Sequence, residues 1–125
     1  MATAVLLGVT EDGADEGRLE ELSLRLREEL LALAVQSVEP RRDGEAPEGT
    51  RAGAAEIAGA LVVSLQPTVQ LVGAMIAVVR NWLRRRGAQT TVRIEIGGDV
   101  LELSGADSQT QQRLVDHWIA EHSTG

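Results

Sequence analysis

Apolar and polar positions along the chain change period several times, and each change marks an element. Thr3–Val9 is a short, almost wholly apolar run, which predicts a buried first strand. Thr10-Glu-Asp-Gly-Ala-Asp makes a turn, with Asp15 placed to cap a helix and Glu16 favourable in its first turn. Leu19, Leu22, Leu26, Leu30 and Leu33 then recur at steps of three and four, one apolar stripe on a helix from about Glu16 to Leu33. Val35–Val38 predicts a second strand.

The stretch from Ala52 to Leu83 is the most hydrophobic. Gln66, Pro67, Thr68 and Gln70 interrupt it, and Pro67 breaks a helical ladder. Two helices are expected, about 53–65 and 68–86. In the second, Val69, Val72, Ile76, Val79 and Leu83 form one stripe, and Leu71, Met75, Val78 and Trp82 form another beside it. Its remaining face carries Gly73, Ala74 and Ala77, small enough for another backbone to lie close. Arg84, Arg85 and Arg86 close this helix at its negative end, and Gly87 is a natural stop.

Thr91–Ile96 alternates, with Val92, Ile94 and Ile96 on one face. Val100–Leu103 follows after Gly97-Gly98-Asp99, a tight hairpin signal. A Gly97-Gly98 turn sets Arg93 opposite Glu102, whereas a Gly98-Asp99 turn sets Glu95 there; cross-strand charge favours the first. A last helix covers about Ser108–His122, capped by Asp107 or Ser108, with Leu114, Val115, Trp118 and Ile119 inward. The expected class is α+β in one domain spanning 1–125. The order is β-α-β-α-α-β-β-α, with a four-stranded sheet and helices mainly on one face. Residues 39–52, acidic and carrying Pro40 and Pro47, are expected to form a flexible loop.

Composition narrows the chemistry. The 125 residues suit one domain, and with Trp82 and Trp118 the only aromatic side chains the core must be aliphatic. Without cysteine there is no disulfide, thiolate metal site or thiol nucleophile. The acidic stretch after Val9 and the lack of a basic start argue against a secretory leader, so the cytoplasm is expected. A net charge of −7 argues against nonspecific nucleic-acid binding. Every basic residue is Arg, and residues 51–88 form a basic interval between acidic ends, which suits association with an acidic partner surface.

Catalytic patterns are not met. His117 and His122 are five apart rather than four, no third metal ligand is apparent, and both are expected to be solvated. Gly97-Gly98 does not precede a helix, so it does not cradle phosphate. Glu20-Glu21 and Glu28-Glu29 lie on a highly charged helix face, where water solvates them, and nothing in the sequence points to the burial a catalytic acid needs. No catalytic, cofactor or metal residues are expected. Residues 57–79 approach the length of a membrane span, but the polar residues within them favour a water-soluble core.

Three strings carry a family resemblance: Gly59-Ala-Leu-Val-Val-Ser-Leu, Val79-Arg-Asn-Trp-Leu-Arg-Arg-Arg and Val92-Arg-Ile-Glu-Ile-Gly-Gly-Asp-Val-Leu-Glu-Leu. With the order of elements, they resemble the bacterial family called effector-associated constant component 1. That resemblance implies a non-enzymatic adaptor or regulator in a conflict or immunity locus. Its partner would be a co-encoded effector, a caspase-like or trypsin-like peptidase. Candidate interaction residues in this chain are Arg84, Arg85, Arg86, Gly73, Ala77, Arg93 and Glu102. Self-assembly could use the small face of helix 68–86, or an edge at Val100–Leu103 or Thr91–Ile96. The alternatives are a membrane-associated component using 57–86 and a small enzyme of unrecognised type.

Overall fold

The computed structural model describes residues 3–42, 56–87, 89–105 and 109–123. They form β1 (Thr3–Glu11), α1 (Glu16–Leu30), β2 (Ser37–Arg42), β3 (Glu56–Leu65), α2 (Val69–Arg84), β4 (Thr90–Ile96), β5 (Asp99–Ser104) and α3 (Gln109–His122). One antiparallel sheet has the order β2-β3-β1-β4-β5. β3 lies antiparallel between β1 and β2, so β1 and β2 are parallel to each other. β1 likewise separates the parallel pair β3 and β4. Two β-α-β units are thus interleaved, the split β-α-β arrangement of ferredoxin-like folds, with β5 and α3 added beyond β4.

The α+β class holds, but the sheet has five strands, not four, and the order is β-α-β-β-α-β-β-α. The segment expected as a helix at 53–65 is β3 from Glu56 onward. Leu61, Val63 and Leu65 are fully buried, while Ala60, Val62 and Ser64 between them are half-buried on the opposite face. Both faces of this strand are largely apolar, so its period of two is hidden in the composition. Alanine's helix propensity then favours the wrong element. β2 also runs further than expected, to Arg42. The remainder of the expected loop, 43–52, lies outside the described residues, as does the expected cap at Asp107 or Ser108.

Every helix packs on one face of the sheet. Val5, Leu7 and Val9 of β1, Val92 and Ile94 of β4, and Leu101 and Leu103 of β5 meet Leu22, Leu26 and Leu30 of α1 and the inner stripes of α2. Trp82 is 2% exposed, as its place in the stripe predicts. Asp15 caps α1, its Oδ1 accepting from Arg18 N–H at 2.8 Å. Thr68 caps α2 by accepting from Leu71 N–H at 3.1 Å. Leu114, expected inward, is 58% exposed, and α3 turns Val115 and Trp118 to the core instead. Among the described residues no helix is long and apolar enough to cross a membrane. Residues 57–79 are divided between β3 and α2.

The β4–β5 turn is Gly97-Gly98, with φ of +58° and +91°. Positive φ at both central residues is the hairpin geometry whose twist matches the flanking strands. Arg93 stands opposite Glu102 in this register, as charge complementarity predicts.

Candidate functional site

With the described helices on one side, none of the described elements covers the other face of the sheet. Its residues line up in rows set by the strand register. One row runs Glu39, Val62, Leu6, Glu95 and Val100 across all five strands. The next runs Ala60, Gly8, Arg93 and Glu102. The middle of the face is therefore apolar, with Gly8 and Ala60 small, and Glu39, Arg93, Glu95 and Glu102 stand to its sides, with exposed Val100 at the β5 edge.

Gly8 and Ala60 sit side by side in this register, and the lack of bulk there makes a dip of about 240 Å³. Leu6, Arg93 and Glu95 stand around it. A side chain added at Gly8 would meet nothing within 4 Å among the described residues, so none of them fills the dip. Leu6 and Val62 are half-buried, Glu95 is half-buried and Arg93 is exposed. An apolar centre within a polar rim is the anatomy of a protein-binding surface.

The seven sequence-predicted residues do not form a single patch. Arg93 and Glu102 lie on the open face. Arg85, on the helical side, donates to Glu29 of α1 at 2.7 Å, an exposed ion pair worth about 0–1 kcal/mol. The Arg86 guanidinium stacks over Trp82, 5.0 Å from the ring centroid. Arg84 is exposed and lines a groove between α2 and α3 with Arg80, Gln112 and Asp116. Gly73 and Ala77 line the same groove. Ile119 of α3 comes to 4.0 Å of the Gly73 Cβ position, so this chain's own last helix packs there, while Ala77 stays exposed. The covering helix is α3 and not the expected 53–65 segment. Of the two candidate edges, Thr91–Ile96 is interior, paired on both sides as β4; the outer strands are β2 and β5.

One connected polar group is structural. Glu11 Oε1 accepts from Arg18 Nε at 3.1 Å, and Oε2 accepts from the buried Thr90 hydroxyl at 2.9 Å. The Arg18 hydrogen bond and then the Thr90 bond hold the Glu11 carboxyl below the ordinary glutamate range. These bonds tie the end of β1 to the starts of α1 and β4. A carboxylate so occupied is a poor general base at neutral pH.

The histidines separate. His117 is 74% exposed and pairs with Glu121 at 2.7 Å, as a solvated helix residue would. His122 is not solvated: its side chain is 13% exposed, its ring packs on Trp118 with centroids 4.5 Å apart, and its Nε2 lies 3.2 Å from Asp99. Asp99, Glu121 and His122 bring three metal-capable donors together.

The chain matches no family model, no curated protein and no solved structure.

Proposed function

We propose that this protein is a non-enzymatic adaptor or regulator that binds a co-encoded effector through the uncovered face of its sheet. The observation that carries this reading is the row of Val62 and Leu6 beside the Gly8–Ala60 dip, bounded by Glu39, Arg93, Glu95 and Glu102. Burying it against a partner removes apolar area from water, and the charged flanks set orientation. The resemblance to the effector-associated constant component 1 family supplies the partner class, a caspase-like or trypsin-like peptidase in a bacterial immunity locus. In that setting the adaptor acts in the cytoplasm and its task is recognition, with chemistry left to the effector. Assembly of several copies would raise the local effector concentration.

Gly8→Val tests the site without touching the core. The added side chain enters open space and valine suits a strand, so the melting temperature should hold or rise. The same variant fills the dip. Co-expressed with the peptidase encoded beside it, the variant should lose at least about 2 kcal/mol of affinity, as at an interface hot spot. Wild-type co-purification by a folded Gly8→Val chain would remove the open face from the interface.

A further inference from the structure

We propose that Asp99, Glu121 and His122 form a binding site for a divalent transition-metal cation of the zinc class. The site joins the β4–β5 turn to the end of α3. Asp99 is the first residue after Gly97-Gly98, and His122 is the last residue of α3. One donor atom from each of the three residues lies within 4.8 Å of the others.

The arrangement around His122 Nε2 separates this group from an ordinary cluster of surface carboxylates. Nε2 is sealed from solvent, and no hydrogen bond is aligned on it. Asp99 Oδ2 is nonetheless 3.2 Å away. In the neutral tautomer with its proton on Nδ1, a ring nitrogen held this way would offer its lone pair toward the carboxylates. Two ligands bound to tetrahedral zinc at about 2.0–2.1 Å stand roughly 3.3 Å from each other. The Nε2–Oδ2 separation is thus already that of a ligand pair. Packing fixes the ring, since Trp118 beneath it is buried.

Glu121 completes the set. Its Oε1 pairs with His117 Nε2 at 2.7 Å, a contact that orients the carboxylate, and one carboxylate oxygen lies within the three-residue group. Asp99 and Glu121 are both exposed, so each can rotate onto a cation without disturbing the core. One imidazole and two carboxylates suit zinc and its neighbours, whereas magnesium and calcium take oxygen alone. Three protein ligands leave a fourth position for water or for a partner's side chain. Occupancy would clamp α3 against the hairpin, and α3 is the helix that covers Gly73.

The test is calorimetric titration of Zn²⁺ into the untagged, EDTA-stripped and dialysed full-length chain near neutral pH. One equivalent should bind in the micromolar range, with a higher melting temperature at excess Zn²⁺ and no response to Mg²⁺. His122→Gln should abolish the binding. Asp99→Asn, at an exposed turn position that leaves the core intact, should weaken it at least about tenfold. Asp116→Asn, on the same helix outside the triad, should leave it unchanged. Absence of zinc binding by the wild-type chain would overturn the assignment. So would binding that persists undiminished in folded Asp99→Asn, since the heat would then come from scattered surface carboxylates.

Discussion

Trp82→Ala is expected to destabilise the protein by about 3–5 kcal/mol, the usual cost of emptying a fully buried indole site. Trp82 is 2% exposed and continues the stripe of Leu71, Met75 and Val78, of which Met75 is sealed in the core and the other two pack against it. The loss includes the stacked Arg86 guanidinium, whose Nε is itself buried without a hydrogen-bond partner among the described residues. A domain of this size is commonly stable by about 5–15 kcal/mol. The variant should therefore unfold at a much lower denaturant concentration. Trp82→Phe keeps most of the volume and removes an indole N–H that finds no acceptor among the described residues, so it should cost distinctly less. Equal denaturation midpoints for Trp82→Ala and wild type would show that the indole does not fill the core.

Gly59→Ala is expected to destabilise as well, and here the sign matters more than the size. Gly59 lies in β3 with φ of +80°, and a Cβ built on it would stand 2.6 Å from the Val9 carbonyl oxygen. The positive φ alone costs a non-glycine residue about 1–3 kcal/mol. The contact adds to that, because a backbone carbonyl in a paired strand has little room to retreat. Were residues 53–65 helical, the same substitution would stabilise by about 1 kcal/mol, since alanine is the better helix former. Urea unfolding of this one variant separates the two assignments by the direction in which the midpoint moves.

That assignment also explains what was legible in the sequence. α1 and α2 were readable because each has an apolar stripe against polar or small faces, and Leu22, Leu26, Leu30, Val72, Ile76 and Val79 are all buried where the spacing put them. The β4–β5 register was readable because two glycines and one charge pair, Arg93 with Glu102, specify it locally. β3 was not readable, because it lies between two other strands and is apolar on both faces. Its neighbours in space, β1 and β2, are defined only by long-range pairing.

The open face was lost with it. Once Ala60 and Val62 are assigned to a helix, Gly8 and Leu6 have no row to belong to. The arginine run was visible, but its division among Glu29, Trp82 and the α2–α3 groove depends on tertiary contacts. His122 reads as solvated in the sequence because Asp99, the first residue of β5, is far away along the chain, and only the packing of α3 on β5 brings the two together.

The proposed binding through the open face is tested most directly by amide chemical-shift mapping of the isotope-labelled chain titrated with a peptidase of the proposed partner class. The shifts should concentrate on the open face at Leu6, Gly8, Ala60, Val62, Arg93 and Glu95, and fade toward α1 on the opposite side. Shifts confined to the α2–α3 groove around Gly73 and Ala77, with Leu6 and Gly8 unmoved, would contradict it.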